Sequence, residues 1–323
     1  MKKLVYLLLA LMMLLVSCTA LAAGKLETIT SRGTLLVGTT GDYKPMSYLN
    51  KETGQYEGFD YQLAENFAAA LGVKAVYVPT TWKTLTQDTL DGTFDVALCG
   101  ITRTFAREKV MNMSDGYLQF GKTILVRKAD AGKFKSLADV NKPSVKVMYN
   151  PGGTNEKFAK ASLANATLVM HPQNAEIPGL IAEGKADVMV TETTEAAHYA
   201  AVNEKLAAPL LKEPFTKNTF GVLMQKGDQD FLNFVNFWLA ELKGNGTLAQ
   251  YEKDYGIDSK AVLAKWQAET DSVWTPAPET NAEHYLQNEY KEWMDSWKNF
   301  GNNMKLDLNI DTSKAKNPTS TNK

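Results

Sequence analysis

The sequence predicts an α/β protein of two lobes, each an open and mostly parallel sheet flanked by helices, with a cleft between them. Three observations predict it. Short apolar runs alternate with helix-length segments along most of the chain, which is the rhythm of open sheets with crossover helices. The rhythm falls into two blocks, about residues 28–121 and 124–215. A further apolar run at 220–225 and a helix at 230–242 follow the second block and would return the chain to the first. A chain that crosses twice between lobes makes a cleft, and open α/β sheets hold their ligands at the carboxyl ends of strands. The lobes are therefore expected over 28–121 with 218–255, and over 122–217.

Each element has its own signal. The apolar strand 34–38 ends at Thr39, Thr40, Gly41, Asp42 and Tyr43. Residues 59–71 read as a helix with Leu63, Phe67 and Ala70 on one face. A strand is expected over 73–78, a helix over 82–90 and a strand over 94–99. After Gly121 come the segments 123–127 and 137–140, then a strand over 145–149 and a helix beyond Gly153. Strands over 166–170 and 186–191 enclose a helix over 177–183. In the returning helix, Phe234, Phe237, Trp238 and Leu242 are expected to be buried. Residues 256–311 break the rhythm and form a helical extension with four of the six tryptophans: Trp266, Trp274, Trp293 and Trp297. It reads as a clasp packed on a lobe or as a partner surface. Residues 312–323 almost lack apolar side chains and are expected to be disordered.

Composition narrows the function. A chain of 323 residues with 44% hydrophobic and 22% charged content has ample core for one or two soluble domains. Net charge -1 and pI near 6.4 argue against nucleic acid or an anionic membrane surface as partner, so any bound anion must be met by a local cluster. Lys2 and Lys3 precede an apolar run over 4–16, too short to span a bilayer comfortably, so residues 1–23 read as an export signal. Cys18 fits a lipoprotein cleavage site, whereas Ala20, Leu21 and Ala22 fit ordinary signal cleavage. Either reading exports the protein, to the periplasm or to a lipid anchor at the outer face of the cytoplasmic membrane. Cys99 ends an apolar strand and reads as a buried structural thiol. The three histidines, His171, His198 and His284, lack metal-ligand spacing, and there is no phosphate loop or nucleophile elbow. No metal and no cofactor is expected.

The most informative stretch runs from Asn150 to Ala159. Pro151, Gly152 and Gly153 close a strand before a helix, and glycines there let backbone N–H groups turn towards an anion at the helix's positive end. Thr154 and Asn155 would cap this helix or present their side chains to the ligand. Glu192 and Glu195 follow another strand end, on the first turn of an expected helix.

These segments resemble a known family. Residues 39–45, Tyr56 to Asp60, residues 79–82, Gly100 to Thr102 with Arg107, and residues 150–159 fall in the order seen in periplasmic solute-binding proteins for polar amino acids. More narrowly, residues 39–45 and 150–159 resemble the exported cyclohexadienyl dehydratases that share that fold. The resemblance covers roughly residues 28–255 and implies the two-lobed type II binding-protein fold. It implies Glu195 as general acid, with Asn155 and Lys122 assisting, and Arg107 with Thr102 as the clamp on a substrate carboxylate. Thr154 would hold a second carboxylate or the leaving hydroxyl, Asp42 belongs to the matched segment, and Tyr43 and Trp82 would wall the ring. Glu192 falls where amino-acid-binding relatives keep an acid for the ligand ammonium. The implied reaction is decarboxylating dehydration of prephenate or L-arogenate. The alternative is a receptor that carries a polar amino acid to an ABC permease. Gln173 is an amide where the dehydratases have an acid, Pro178 replaces an expected aromatic, Arg103 adds a cation, and the Trp-rich extension has no counterpart.

Overall fold

A computed structural model describes residues 24–259. The expected export signal with Cys18, the expected Trp-rich extension beyond residue 259 and the expected C-terminal tail lie outside the described residues. Helix α1 (Lys25–Arg32) opens the described chain and leads into β1 (Thr34–Thr39). A small antiparallel sheet follows, β2 (Asp42–Tyr43), β3 (Ser47–Leu49) and β4 (Tyr56–Glu57), then α2 (Phe59–Ala70) and β5 (Lys74–Pro79). Next come α3 (Leu85–Leu90), β6 (Val96–Ala97), α4 (Phe105–Val110) and β7 (Asn112–Met113). The chain leaves this lobe through β8 (Leu118–Phe120).

The second lobe is built from β9 (Lys122–Arg127), α5 (Leu137–Val140), β10 (Lys146–Tyr149), α6 (Thr154–Ser162), β11 (Thr167–Met170), α7 (Ile177–Ala182), β12 (Val188–Glu192), α8 (Thr193–Val202) and β13 (Leu206–Ala207). Return is through β14 (Asn218–Phe220) to β15 (Leu223–Met224), α9 (Gln229–Gly244) and α10 (Thr247–Asp254).

Each lobe holds a five-stranded sheet, ordered β5-β1-β6-β15-β7 in one and β11-β10-β12-β9-β13 in the other. Strands buried on both faces show why short apolar runs suffice here. In β9, Ile124 and Val126 enter one core and Leu125 the opposite one; in β12, Val188 and Val190 face Met189 in the same way. The sheets are mixed rather than mostly parallel. β1 pairs in parallel with β5 and β6, and β10 with β11 and β12, but β9 and β15, the first strands after each crossing, run antiparallel to their neighbours.

The crossings themselves pair. β8 and β14 lie antiparallel with Phe120 stacked on Phe220, ring centroids 3.8 Å apart. Gly121 follows directly, and a Cβ there would stand 2.0 Å from the Thr216 carbonyl oxygen, so only glycine lets the two connections pass.

Some sequence expectations shift. The strand expected over 94–99 is confined to Val96–Ala97, and Trp82 sits in the turn before α3 rather than in a helix. Phe237 is 65% exposed; the buried stripe of α9 is Phe231, Val235, Trp238, Leu239 and Leu242. Asp228 caps this helix through the Phe231 N–H (2.7 Å) and also accepts the Lys25 N–H of α1 (2.6 Å), so one carboxylate serves two helix starts. Cys99 is fully buried, and burial raises its thiol pKa to about 12, which fits a structural role.

Candidate active site

A cavity lies between the lobes. Tyr43, Trp82, Gly100 and Thr102 line it from one lobe, and Asn150, Gly153, Thr154, Asn155, Asn174 and Glu192 from the other. Nearly all follow strand carboxyl ends: Tyr43 after β1, Trp82 after β5, Gly100 and Thr102 after β6, Asn150 to Asn155 after β10, and Asn174 after β11. Glu192 closes β12 itself. This is where an open α/β sheet exposes unsatisfied backbone and side chains to a ligand.

Lys122 anchors the polar wall. It is buried, and its ammonium donates to Thr154 Oγ1 (2.8 Å), Asn155 Oδ1 (2.5 Å) and Glu192 Oε1. Three acceptors match the three N–H groups of a charged lysine. Burial pulls its pKa down, and the Glu192 charge opposes that shift. Lys122 and Glu192 are register partners on antiparallel β9 and β12, so the sheet itself brings them together. The second Glu192 oxygen accepts from Tyr43 O–H across the cleft (3.1 Å) and from Thr191 (3.4 Å).

Thr154 and Asn155 form the first turn of α6, but neither side chain caps the helix. Gly153 is the N-cap residue and Thr154 reaches to Lys122, Glu192 and Thr102 (3.3 Å) instead. Asn155 Nδ2 donates to Asn150 Oδ1 at 3.0 Å, which orients its carbonyl towards Lys122.

Glu195 stands behind this wall and is fully buried, with Glu192 as the N-cap residue of its helix. Thr191 donates to its Oε2 and Asn174 Nδ2 to its Oε1 (2.8 Å). Burial holds its pKa well above the usual carboxylate range. The charges of Glu192 and Asp42 add to that, while the Thr191 and Asn174 hydrogen bonds oppose it.

Arg107 lies at the cleft side of the first lobe without being one of the lining residues. Its Nη1 donates to the Thr102 carbonyl (2.7 Å), which leaves other donors of the guanidinium fork for a ligand. Burial lowers its pKa, but a guanidinium remains charged. Trp82 Nε1 donates to Asp42 Oδ1 (2.9 Å), and the Trp82 ring meets Tyr43 edge-on at 6.0 Å. Burial raises the Asp42 pKa.

The structure thus brings together Tyr43, Trp82, Thr102, Thr154, Asn155, Lys122 and Glu192, with Glu195 and Asp42 one contact away. Sequence reasoning gave no role to Asn150, Asn174, Thr191 or Asp60. Their position just after strands was the available signal for Asn150 and Asn174.

Asp60 supports the cavity floor. It is fully buried, accepts the Gly100 N–H and the Tyr117 O–H (2.8 Å), and burial raises its pKa to about 7. Gly100 has φ of 72° and would press a Cβ to 2.3 Å from the Tyr43 ring, so this corner is fixed by backbone. A carboxyl with a folded-state pKa above its unfolded value of about 4 binds more protons folded than unfolded. Its stabilising share is complete below about pH 4 and disappears as pH rises through about 7. Asp60→Asn is expected to flatten that decline, measured as urea unfolding midpoints across the same pH series. An unchanged pH slope in the variant would remove Asp60 as its source.

Comparison with known proteins follows the same lines. The model for bacterial extracellular solute-binding proteins, family 3, matches residues 35–258. A cyclohexadienyl dehydratase of Pseudomonas aeruginosa is 39% identical over 226 residues, covering 70% of this chain and 84% of that protein. The L-cystine-binding protein TcyJ of Escherichia coli (strain K12) is 30% identical over 238 residues, 73% of this chain and 87% of that protein. Among solved structures, the ancestral amino acid-binding protein AncCDT-1, a precursor of cyclohexadienyl dehydratase, superposes with TM-score 0.67 at 41% identity, covering 72% of this chain and 99% of that one.

Proposed function

The chain belongs to the bacterial extracellular solute-binding proteins of family 3, and from that premise we propose that it is a cyclohexadienyl dehydratase acting outside the cytoplasm. The observation that carries the reading is Glu195: a fully buried carboxyl whose pKa burial raises, beside a lysine-centred polar wall. A receptor that only holds and releases an amino acid has no use for such an acid. The similarity to the Pseudomonas enzyme supports the same choice.

Prephenate carries a ring carboxylate and a ring hydroxyl on opposite carbons. In the proposed step the carboxylate C–C bond breaks to release CO2, its electron pair enters the ring, and the hydroxyl C–O bond breaks. The departing oxygen takes the Glu195 proton and leaves as water, and Glu195 is reprotonated from solvent. General-acid assistance of this kind contributes about 10²–10⁴-fold. Arg107 and Thr102 would clamp the side-chain carboxylate, Lys122 with Thr154 and Asn155 would face the second anionic group, and Tyr43 and Trp82 would wall the ring.

The second reading, a receptor for an ABC permease, is favoured by Glu192, an acid in the position that binds a ligand ammonium in amino-acid-binding relatives. In this structure Glu192 is already engaged by Lys122, which weighs against an ammonium ligand and towards prephenate. The deciding experiment mixes mature protein with prephenate at neutral pH and follows phenylpyruvate by absorbance against an enzyme-free blank. Turnover is expected. No turnover together with tight amino-acid binding in a thermal-shift screen would replace the enzyme with the receptor.

A further inference from the structure

Asn174 is 2% exposed, lines the cavity, and makes an incomplete set of hydrogen bonds. Its Nδ2 donates twice, to Glu195 Oε1 (2.8 Å) and across the cleft to the Asp42 carbonyl (3.2 Å). Its Oδ1 is buried and has no partner among the described residues. The amide cannot simply be turned over to relieve this. A backbone carbonyl only accepts, so the Asp42 contact requires the NH2 group on that side whatever the protonation of Glu195.

A buried acceptor without a donor is costly, and native interiors rarely keep one unless a ligand or a bound water completes it. Asn174 lines the cavity, so a ligand held there is the group that can supply the donor. We propose that Asn174 Oδ1 is a ligand-hydroxyl acceptor, which selects a hydroxylated carboxylate and holds its hydroxyl against the Glu195 carboxyl. A carboxylate ligand at neutral pH offers no donor through its acid groups, so the donor is a hydroxyl or an ammonium, and the dehydratase reading selects the hydroxyl. The choice of a hydroxyl, like its identification as the leaving group, rests on the dehydratase reading.

The test uses two unreactive probes, cis-4-hydroxycyclohexanecarboxylate and cyclohexanecarboxylate, titrated calorimetrically into the mature protein. The parent is expected to bind the hydroxylated probe about tenfold or more tightly, since a site built around a hydroxyl penalises its absence. Asn174→Leu, which keeps the bulk and removes the acceptor, is expected to erase the preference. Asn174→Ala serves the same purpose if the leucine variant does not fold. No preference in the parent, or a preference that survives in the folded variant, overturns the inference. Prephenate turnover is read separately on the same parent protein. Hydroxyl preference without turnover would overturn the dehydratase reading and uphold the acceptor role of Asn174.

Discussion

Glu195→Gln is expected to lower prephenate turnover at least about a hundredfold while leaving fold and ligand affinity nearly unchanged. The substitution keeps the shape of the carboxyl and removes its ionisable group. The glutamine carbonyl can accept from Asn174 Nδ2 as Oε1 does, and its NH2 can donate to Thr191 Oγ1. What is lost is the transferable proton. A fall in kcat with little change in KM would mark an interaction made in the transition state, whereas a matching rise in KM would indicate a disturbed binding site. Stability supplies an independent reading. The Glu195 pKa is raised by folding, so its stabilising share is complete below an unfolded value of about 4.3 and is lost as pH climbs through the raised folded value. Glu195→Gln has nothing to ionise, and its unfolding midpoint is expected to decline less than the parent's towards alkaline pH. Turnover equal to that of the parent would take Glu195 out of the mechanism.

Strand phases were legible in the sequence because these strands are buried on both faces and carry short apolar runs. Val145 to Tyr149 and Ala186 to Thr191 were placed to within about two residues of β10 and β12. The phase of α9 was harder. Phe234, Phe237, Trp238 and Leu242 make a plausible stripe, and so do Phe231, Val235, Trp238 and Leu242. Tertiary contacts choose the second: Trp238 Nε1 donates to Asn66 Oδ1 at 2.8 Å, and its ring lies 4.6 Å from Phe67. The site was legible as a set of residue types at strand ends, but its pairings were not. A largely parallel second sheet does not put residues 122 and 192 side by side. The antiparallel insertion of β9 next to β12 does, and it turns two residues with separate expected ligands into each other's partners. Asn174 was passed over for a related reason: its part depends on Asp42 and Glu195, distant in sequence and on opposite sides of the cleft.

Lys122→Met is expected to destabilise the protein by about 3–5 kcal/mol, because it leaves Glu192 buried opposite an apolar chain. Adding Glu192→Gln to Lys122→Met removes both charges and is expected to restore much of the stability, since a buried pair contributes less than the penalty of breaking it suggests. Urea midpoints of the parent, both single variants and the double variant give the coupling directly. A Lys122→Met loss below about 1 kcal/mol would show that the pair is not dry. The same cycle separates the two functional readings. In the parent, the Lys122 ammonium stands on Glu192, where a ligand ammonium would otherwise bind. Lys122→Met frees that carboxylate, so the variant should gain affinity for a free L-amino acid as it loses prephenate turnover. If amino-acid affinity falls along with turnover, Lys122 does not exclude the ligand ammonium, and the preference for an ammonium-free substrate must arise elsewhere in the cleft.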